Sequence, residues 1–328
     1  EGGGARRARD EAIALAHGIA GQETVGPAGF ALALRTAGPA AAYARVVTRR
    51  APRAWVVNFT NPVGIVTQAI LTETARAVGI CDTPLELCEH AARTLGLPPR
   101  ECHFDYFGLN HLGWLREVYH RGEPRLSPLW DDPDALERLL PSLLFDGRFL
   151  ARLRLLPTEY LFFYYRPETA LENLRRAGTS RGAVVEALNG RLFDALRRAD
   201  EDPVAVYERY LAAREAGYMQ LESGAAGPRA PLEDRELAGY DRIALAVVRA
   251  IHFDTGAVLP LDVPNRGNLP GLEPDDVVEV PCAVTANGPL ALHVPAPPEP
   301  AAALVARALG LPQPQVDLIR RAAPLCTL

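Results

Sequence analysis

Lysine is absent from the 328 residues, so all 35 basic side chains are arginine. That excludes Schiff-base catalysis by lysine and the lysine of a phosphate-binding P-loop. Cysteine is scarce, with five residues at irregular spacing (Cys81, Cys88, Cys102, Cys282 and Cys326), and no secreted disulfide framework can be read from them. No apolar run reaches membrane-spanning length, and no secretory leader precedes the first helix-like segment. The formal charge is −5, and base is nowhere concentrated around aromatic side chains, so a nucleic-acid footprint is not expected. These absences describe a cytoplasmic chain that binds neither nucleic acid nor membrane.

What is present is an ordinary globular composition, 48% hydrophobic and 23% charged, long enough for two domains. The first residue is Glu1, and a helical pattern starts at once with no strand before it. This reads as a fragment or a processed product. Residues 5–18 carry apolar positions at helical spacing, a second helix covers about 31–50, and AWVVNFT is a short buried strand. NPVGIVTQAILTETARAVG then supplies a helix, AVGIC a second buried strand, and PLELCEHAARTLGL its helix. Two successive strand and helix units predict a parallel, doubly wound, Rossmann-like sheet, N-terminally incomplete. In such sheets ligands gather beyond the carboxyl ends of the strands, which puts Asn58, Thr60, Asn61, Cys81 and Asp82 on one rim.

Past residue 100 the character changes. CHFDYFGLNHLGWLREVYHRGE reads as antiparallel strands, residues 133–225 as mostly helical, 233–252 as a long helix, and GAVLPLDVPNRGNLPGLEPDDVVEVPCAVTANG as strands with glycine and proline turns. PAPPEPAAALVARALGLPQPQ is biased enough to suggest a surface connection before a last helix. The expected division is 1–105, the remainder of a dinucleotide-binding domain, and 106–328, a mixed α/β substrate and catalytic domain.

Cys81 and His111 lie 30 residues apart, a spacing that fits no zinc finger. A buried structural thiol with a core imidazole is one reading. A thiolate and an imidazole holding a divalent transition metal with open positions is the other, favoured by the place of Cys81 at a strand end. Tyr160, Tyr164 and Tyr165 crowd one segment with Phe162 and Phe163. A tyrosine there is core, or a base if a neighbouring cation lowers its pKa from about 10.

HGIAGQETVGPAGF, NFTNPVGIVTQA, CDTP, FGLNHLGW, EYLFFYY, AGYDRIALAVVRAI and VPNRGNLPGLEPDDVVEVPC together resemble glycoside hydrolase family 4, most closely its 6-phospho-β-glucosidases, over about residues 10–288. The resemblance implies NAD and a divalent metal, with Mn²⁺ expected, and a route unlike that of two-carboxylate glycosidases. NAD withdraws hydride from C3, the resulting ketone acidifies the C2 proton, a base removes it, the glycosidic oxygen leaves, and water and hydride then return. It further implies Cys81 and His111 as metal ligands, Tyr160 as the C2 base, Asn61 and Asn110 as sugar contacts, and Arg235 at the 6-phosphate. Asn58, Gln22 and Glu23 fall on the cofactor side of the cleft. By the same resemblance, the partners are a small sugar and further copies of the chain in a homodimer or homotetramer.

Three departures qualify the expectation. Asp82 stands where the β-glucosidases carry asparagine; it resembles the leaving-group acid of the 6-phospho-α-glucosidases. Glu236, Leu237 and Asp241 replace small residues beside Arg235, which makes an unphosphorylated substrate an alternative. The family's glycine-rich dinucleotide turn lies upstream of Glu1, and the segment after about 289 does not match. A catalytically silent relative kept for binding or assembly, and a plain NAD-dependent dehydrogenase, are the competing readings.

Overall fold

The structure is a computed structural model, and it describes residues 3–139, 144–198, 200–224 and 239–308. In chain order the elements are α1 (Gly3–Ala16), α2 (Gly26–Arg50), β1 (Val56–Asn58), α3 (Val63–Leu71), β2 (Ala77–Gly79) and α4 (Asp82–Thr94). Then come β3 (Cys102–Leu109), β4 (Leu112–His120), β5 (Glu123–Pro124), α5 (Pro133–Leu136), α6 (Gly147–Leu153) and β6 (Leu156–Pro157). The helical stretch holds α7 (Phe162–Tyr165), α8 (Pro167–Ala177), α9 (Arg181–Arg198), α10 (Pro203–Ala216) and α11 (Gln220–Ser223). Last are α12 (Tyr240–Phe253), β7 (Ala257–Pro264), β8 (Val277–Thr285), β9 (Gly288–Ala291) and α13 (Glu299–Ala308).

The chain forms two compact units, each drawn from two stretches of sequence. One comprises Glu1–Arg35 and Glu159–Glu236, the other Thr36–Thr158 and Leu237–Leu328. The first is helical among its described residues. α1 packs on α9, and the Glu11 carboxylate, 2% exposed, accepts the Gly182 backbone N–H at 2.5 Å and the Arg7 guanidinium at 2.9 Å. A buried acid satisfied by a helix-start amide and an arginine costs little and fixes the register of the two helices.

The second unit is built on one mixed sheet in the order β1-β2-β7-β8-β3-β4-β5, with β6 on β4 and β9 on β8. The α/β, Rossmann-like expectation holds in β1, α3, β2 and α4, where β1 and β2 pair in parallel. Every other described strand pairing is antiparallel, with direct hairpin connections at β3–β4, β4–β5 and β8–β9 and longer connections behind β2–β7, β3–β8 and β4–β6. The core lies under α3, α4 and α12, and its largest side chains include Trp114, Tyr106 and Phe107, with the Phe107 and Trp114 rings stacked at 5.5 Å. One difference from the sequence reading lies at Glu299–Ala308. It is a helix with Ala301, Ala302, Leu304 and Val305 buried, because an apolar run follows the proline cluster, where a surface connection was expected.

Candidate functional site

The site in the second unit is laid out by strand register. Asn58 pairs with Gly79, Gly79 with Asp262, Asp262 with Glu279, Glu279 with Gly108, and Gly108 with Gly113. Register partners share a face, so one row across six strands carries two carboxyl groups flanked by glycines. Gly79 is required by close approach, since a Cβ there would lie 2.5 Å from Thr67 Oγ1 and 2.7 Å from Asp262 Cβ. Two positions along β3 from Gly108, Tyr106 returns to the same face, Asn110 in the following loop reaches Glu279 by a hydrogen bond, and Cys81 just past β2 lies within electrostatic reach of both carboxyls.

Glu279, 1% exposed, accepts the Tyr106 hydroxyl at 2.6 Å on one oxygen and the Asn110 side-chain amide at 3.2 Å on the other. Asp262, fully buried opposite it, has neither oxygen in hydrogen-bonding geometry with any described donor. Burial pushes Glu279 up to about 7 against the opposing hydrogen bonds of Tyr106, Asn110 and Asp262, and burial, the charge of Glu279 and the hydrogen bond a protonated Asp262 gives it raise Asp262 well above the carboxylate range. The pair as a whole holds its protons to higher pH than free carboxyls do.

Cys81 follows β2 as the N-cap residue of α4, 1% exposed, with Sγ 3.8 Å from Asp82 Oδ1. Burial and then the charges of Glu279, Asp82 and Asp262 hold its thiol well above the ordinary range. A thiolate would therefore form only with a cation beside it. His111 sits in the two-residue loop between β3 and β4, 4% exposed, with φ 61°. Burial holds it down at about 3, which leaves a neutral imidazole able to donate a lone pair. A sulfur donor and a neutral imidazole are chemically suited to a divalent transition metal. Among the described residues no group of three or more His, Cys, Asp or Glu is placed to hold one, so two protein donors would leave positions open to substrate or water.

The other predicted residues of this unit border the same strand ends. Asn61 precedes α3 through a cis bond to Pro62, and Gly64 in the first turn of α3 faces Asn110, since a Cβ there would be 3.8 Å from Asn110 Cβ. Asn58 spends its side chain locally, donating to Thr67 Oγ1 at 2.9 Å and accepting from the Thr60 amide at 3.0 Å. Neither described strand-to-helix crossing carries a glycine-rich phosphate turn, and residues 3–16 around GGG are helix, so the described residues do not supply the cradle of a dinucleotide.

Tyr160, Gln22 and Glu23 belong to the first unit. Tyr160 is 5% exposed and meets Tyr218 edge to face at 6.2 Å, and Tyr218 donates to Glu159 at 2.9 Å. Arg7 bonds Glu23 at 2.5 Å and interacts electrostatically with Tyr160, so it is a cation that this unit brings to the tyrosine. Gln22 donates to Met219 Sδ at 3.8 Å. Burial raises the Tyr164 hydroxyl, which suits it less to act as a base. Arg235, with Glu236 and Leu237, lies outside the described residues.

The sequence model of the family 4 glycosyl hydrolases matches residues 2–97, and that of the family's C-terminal domain matches residues 106–313. The chain belongs to the family 4 glycosyl hydrolases. The match to residue 313 corrects the expectation that family likeness stops near 289. A probable 6-phospho-β-glucosidase of Bacillus subtilis is 28% identical over 299 residues, 88% of this chain and 62% of its own length. The chain therefore spans about three fifths of the length of the curated relatives it matches. The 6-phospho-β-glucosidase of Thermotoga maritima, solved with manganese, NAD⁺ and glucose-6-phosphate, has a TM-score of 0.67 at 26% identity, covering 89% of this chain and 63% of that one. A 6-phospho-α-glucosidase from gut microorganisms, solved with NAD and Mn²⁺, has a TM-score of 0.67 at 27% identity, covering 93% and 68%.

Glu279, Asp262, Tyr106 and Arg7 were not singled out from the sequence as site residues. The signal for the carboxyls was there, as one acid in each of the apolar strands LPLDVP and VVEVP.

Proposed function

We propose that this chain carries the metal- and sugar-binding part of a family 4 glycosidase that cleaves phosphorylated or free glycosides by transient oxidation at C3 and elimination. The observation that supports it is the neutral, left-handed His111 in the β3–β4 loop beside Asn110, which bonds the buried Glu279 that also acts electrostatically on Cys81. In this reading Cys81 and His111 hold a divalent metal, expected to be Mn²⁺. A bound metal supplies Lewis-acid stabilisation of negative charge on substrate oxygen. NAD, as in the two related structures, supplies a hydride acceptor, and no residue contact to it is assigned.

The chain's own side chains perform the rest. Asn61 and Asn110 take sugar hydroxyls, and Tyr160, its hydroxyl favoured as an anion by Arg7, removes the C2 proton. Asp82, half-buried at the start of α4, gives a proton to the departing oxygen. Asn58, Gln22 and Glu23 stay on the cofactor side, and Arg235 receives the 6-phosphate where the substrate has one. Residues 1–105 serve as the remaining nucleotide-binding half and 106–328 as the substrate half of a cytoplasmic homodimer or homotetramer. No described helix is long and apolar enough to cross a membrane.

The test is release of nitrophenol from α- and β-nitrophenyl 6-phosphoglucosides and their unphosphorylated forms, with NAD and Mn²⁺ in deuterated water. Release with deuterium at C2 and no net nicotinamide reduction supports the proposal, and the preferred anomer assigns Asp82. Net reduction would make the chain a dehydrogenase. Metal binding without turnover would make it a silent relative.

A further inference from the structure

Asn110 and His111 form a two-residue hairpin loop, closed by the register pair Leu109 and Leu112. Such loops normally place glycine or asparagine where φ is positive, yet φ 61° falls on His111. A histidine in that conformation costs on the order of 1 kcal/mol and persists only where its surroundings hold it there. Among the described residues, one neighbour that reaches the loop is Glu279, which takes the Asn110 amide on one oxygen.

Glu279 is itself fixed from three directions. β8 lies between β7 and β3, so its backbone is paired on both sides. Its second oxygen takes the Tyr106 hydroxyl at 2.6 Å. Tyr106 can reach it only because residue 113 is glycine, since a Cβ at Gly113 would stand 1.9 Å from the tyrosine oxygen.

Stability alone gives no reason for this arrangement. Glu117, 3% exposed, shows how the same sheet neutralises a structural carboxylate, with backbone amides of Val118 at 2.9 Å, Leu126 at 2.7 Å and Ser127 at 3.0 Å. Glu279 and Asp262 have no such set, and among the described residues no arginine or histidine pairs with either. An apolar pair of similar volume would be equally or more stable there.

We infer that Glu279 is a positioning residue: with Tyr106 behind it, it clamps Asn110 and so holds the Asn110–His111 loop in the left-handed form that presents the imidazole. The inference rests on the reading of His111 as a metal ligand for its purpose, and on the hydrogen bonds alone for its geometry. Glu279→Leu removes the clamp and keeps an apolar filling. Glu279→Gln keeps it, because the amide oxygen accepts from Asn110 while the amide nitrogen donates to the Tyr106 oxygen.

The experiment is hydrogen exchange at the Leu109, His111 and Leu112 amides of the metal-free chain, followed by titration with Mn²⁺. Glu279→Leu and Asn110→Ala are expected to exchange about tenfold faster at the loop than wild type, and Glu279→Gln within about threefold of it. The Leu and Ala variants are also expected to bind Mn²⁺ about tenfold more weakly, and the Gln variant to recover. Asn110→Ala, made in a half-buried loop, decides the matter if Glu279→Leu fails to fold. Unchanged loop exchange in Asn110→Ala overturns the inference. If wild type binds no Mn²⁺ but loop exchange responds, the clamp stands and the metal reading falls.

Discussion

Asp262 and Glu279 face each other across β7 and β8, both buried, and only Glu279 has hydrogen-bond donors beside it. Folding thus raises the proton affinity of both carboxyls, Glu279 to about 7 and Asp262 well above the ordinary carboxylate range.

A pH dependence follows from that pair. The folded chain binds more protons than the unfolded one above the ordinary carboxylate range, so stability falls as pH rises from about 4.5 through about 7. The Glu279 shift alone corresponds to at most about 3 kcal/mol. Urea denaturation of the metal-free chain between pH 4.5 and 8 is expected to show the decline, and Asp262→Asn is expected to reduce it by removing the second raised carboxyl.

His111 carries a conformational cost that glycine does not. His111→Gly is expected to be more stable than His111→Ala by about 1 kcal/mol, because only alanine keeps a Cβ in the left-handed region. Both lose the imidazole and should bind Mn²⁺ equally poorly. Paired denaturation and metal titrations measure the two quantities separately.

Gly79 sits where β2 meets β7 most closely. Gly79→Ala drives a methyl into Thr67, Val63 and Asp262, with nearest atoms at 2.5 to 2.8 Å, two of them on β-branched side chains. A loss of roughly 2 kcal/mol is expected in thermal or urea denaturation.

Much of this was legible in the sequence. Both strand and helix units were visible because short β-branched runs ended in turn residues, and that placed Cys81 at a strand end. His111 stood out as the polar residue of an apolar hairpin. The mixed sheet was less visible, because β2 joins β7 through a single register pair, Gly79 with Asp262, far apart in the chain. Arg7 was hidden for a different reason. It lies on a helix with Arg6 and Arg9 nearby, and nothing local distinguishes the one that turns toward Glu11, Glu23 and Tyr160.

Tyr160 provides a kinetic prediction. Tyr160→Phe keeps the ring against Tyr218 and removes the hydroxyl, so any glycosidase turnover should fall by about 100-fold or more in kcat with Mn²⁺ affinity unchanged. A matching loss in Arg7→Gln with its rate optimum shifted to higher pH would show that Arg7 supports the tyrosine as a base.

The most direct measurement is calorimetric titration of the wild-type chain and of Cys81→Ser with Mn²⁺ at neutral pH, following proton release. A site made by Cys81 and His111 requires binding with about one proton released per metal, as the buried thiol becomes a thiolate, and at least about tenfold weaker binding in Cys81→Ser. Equal titrations of the two proteins would contradict it and return Cys81 to the role of a core thiol.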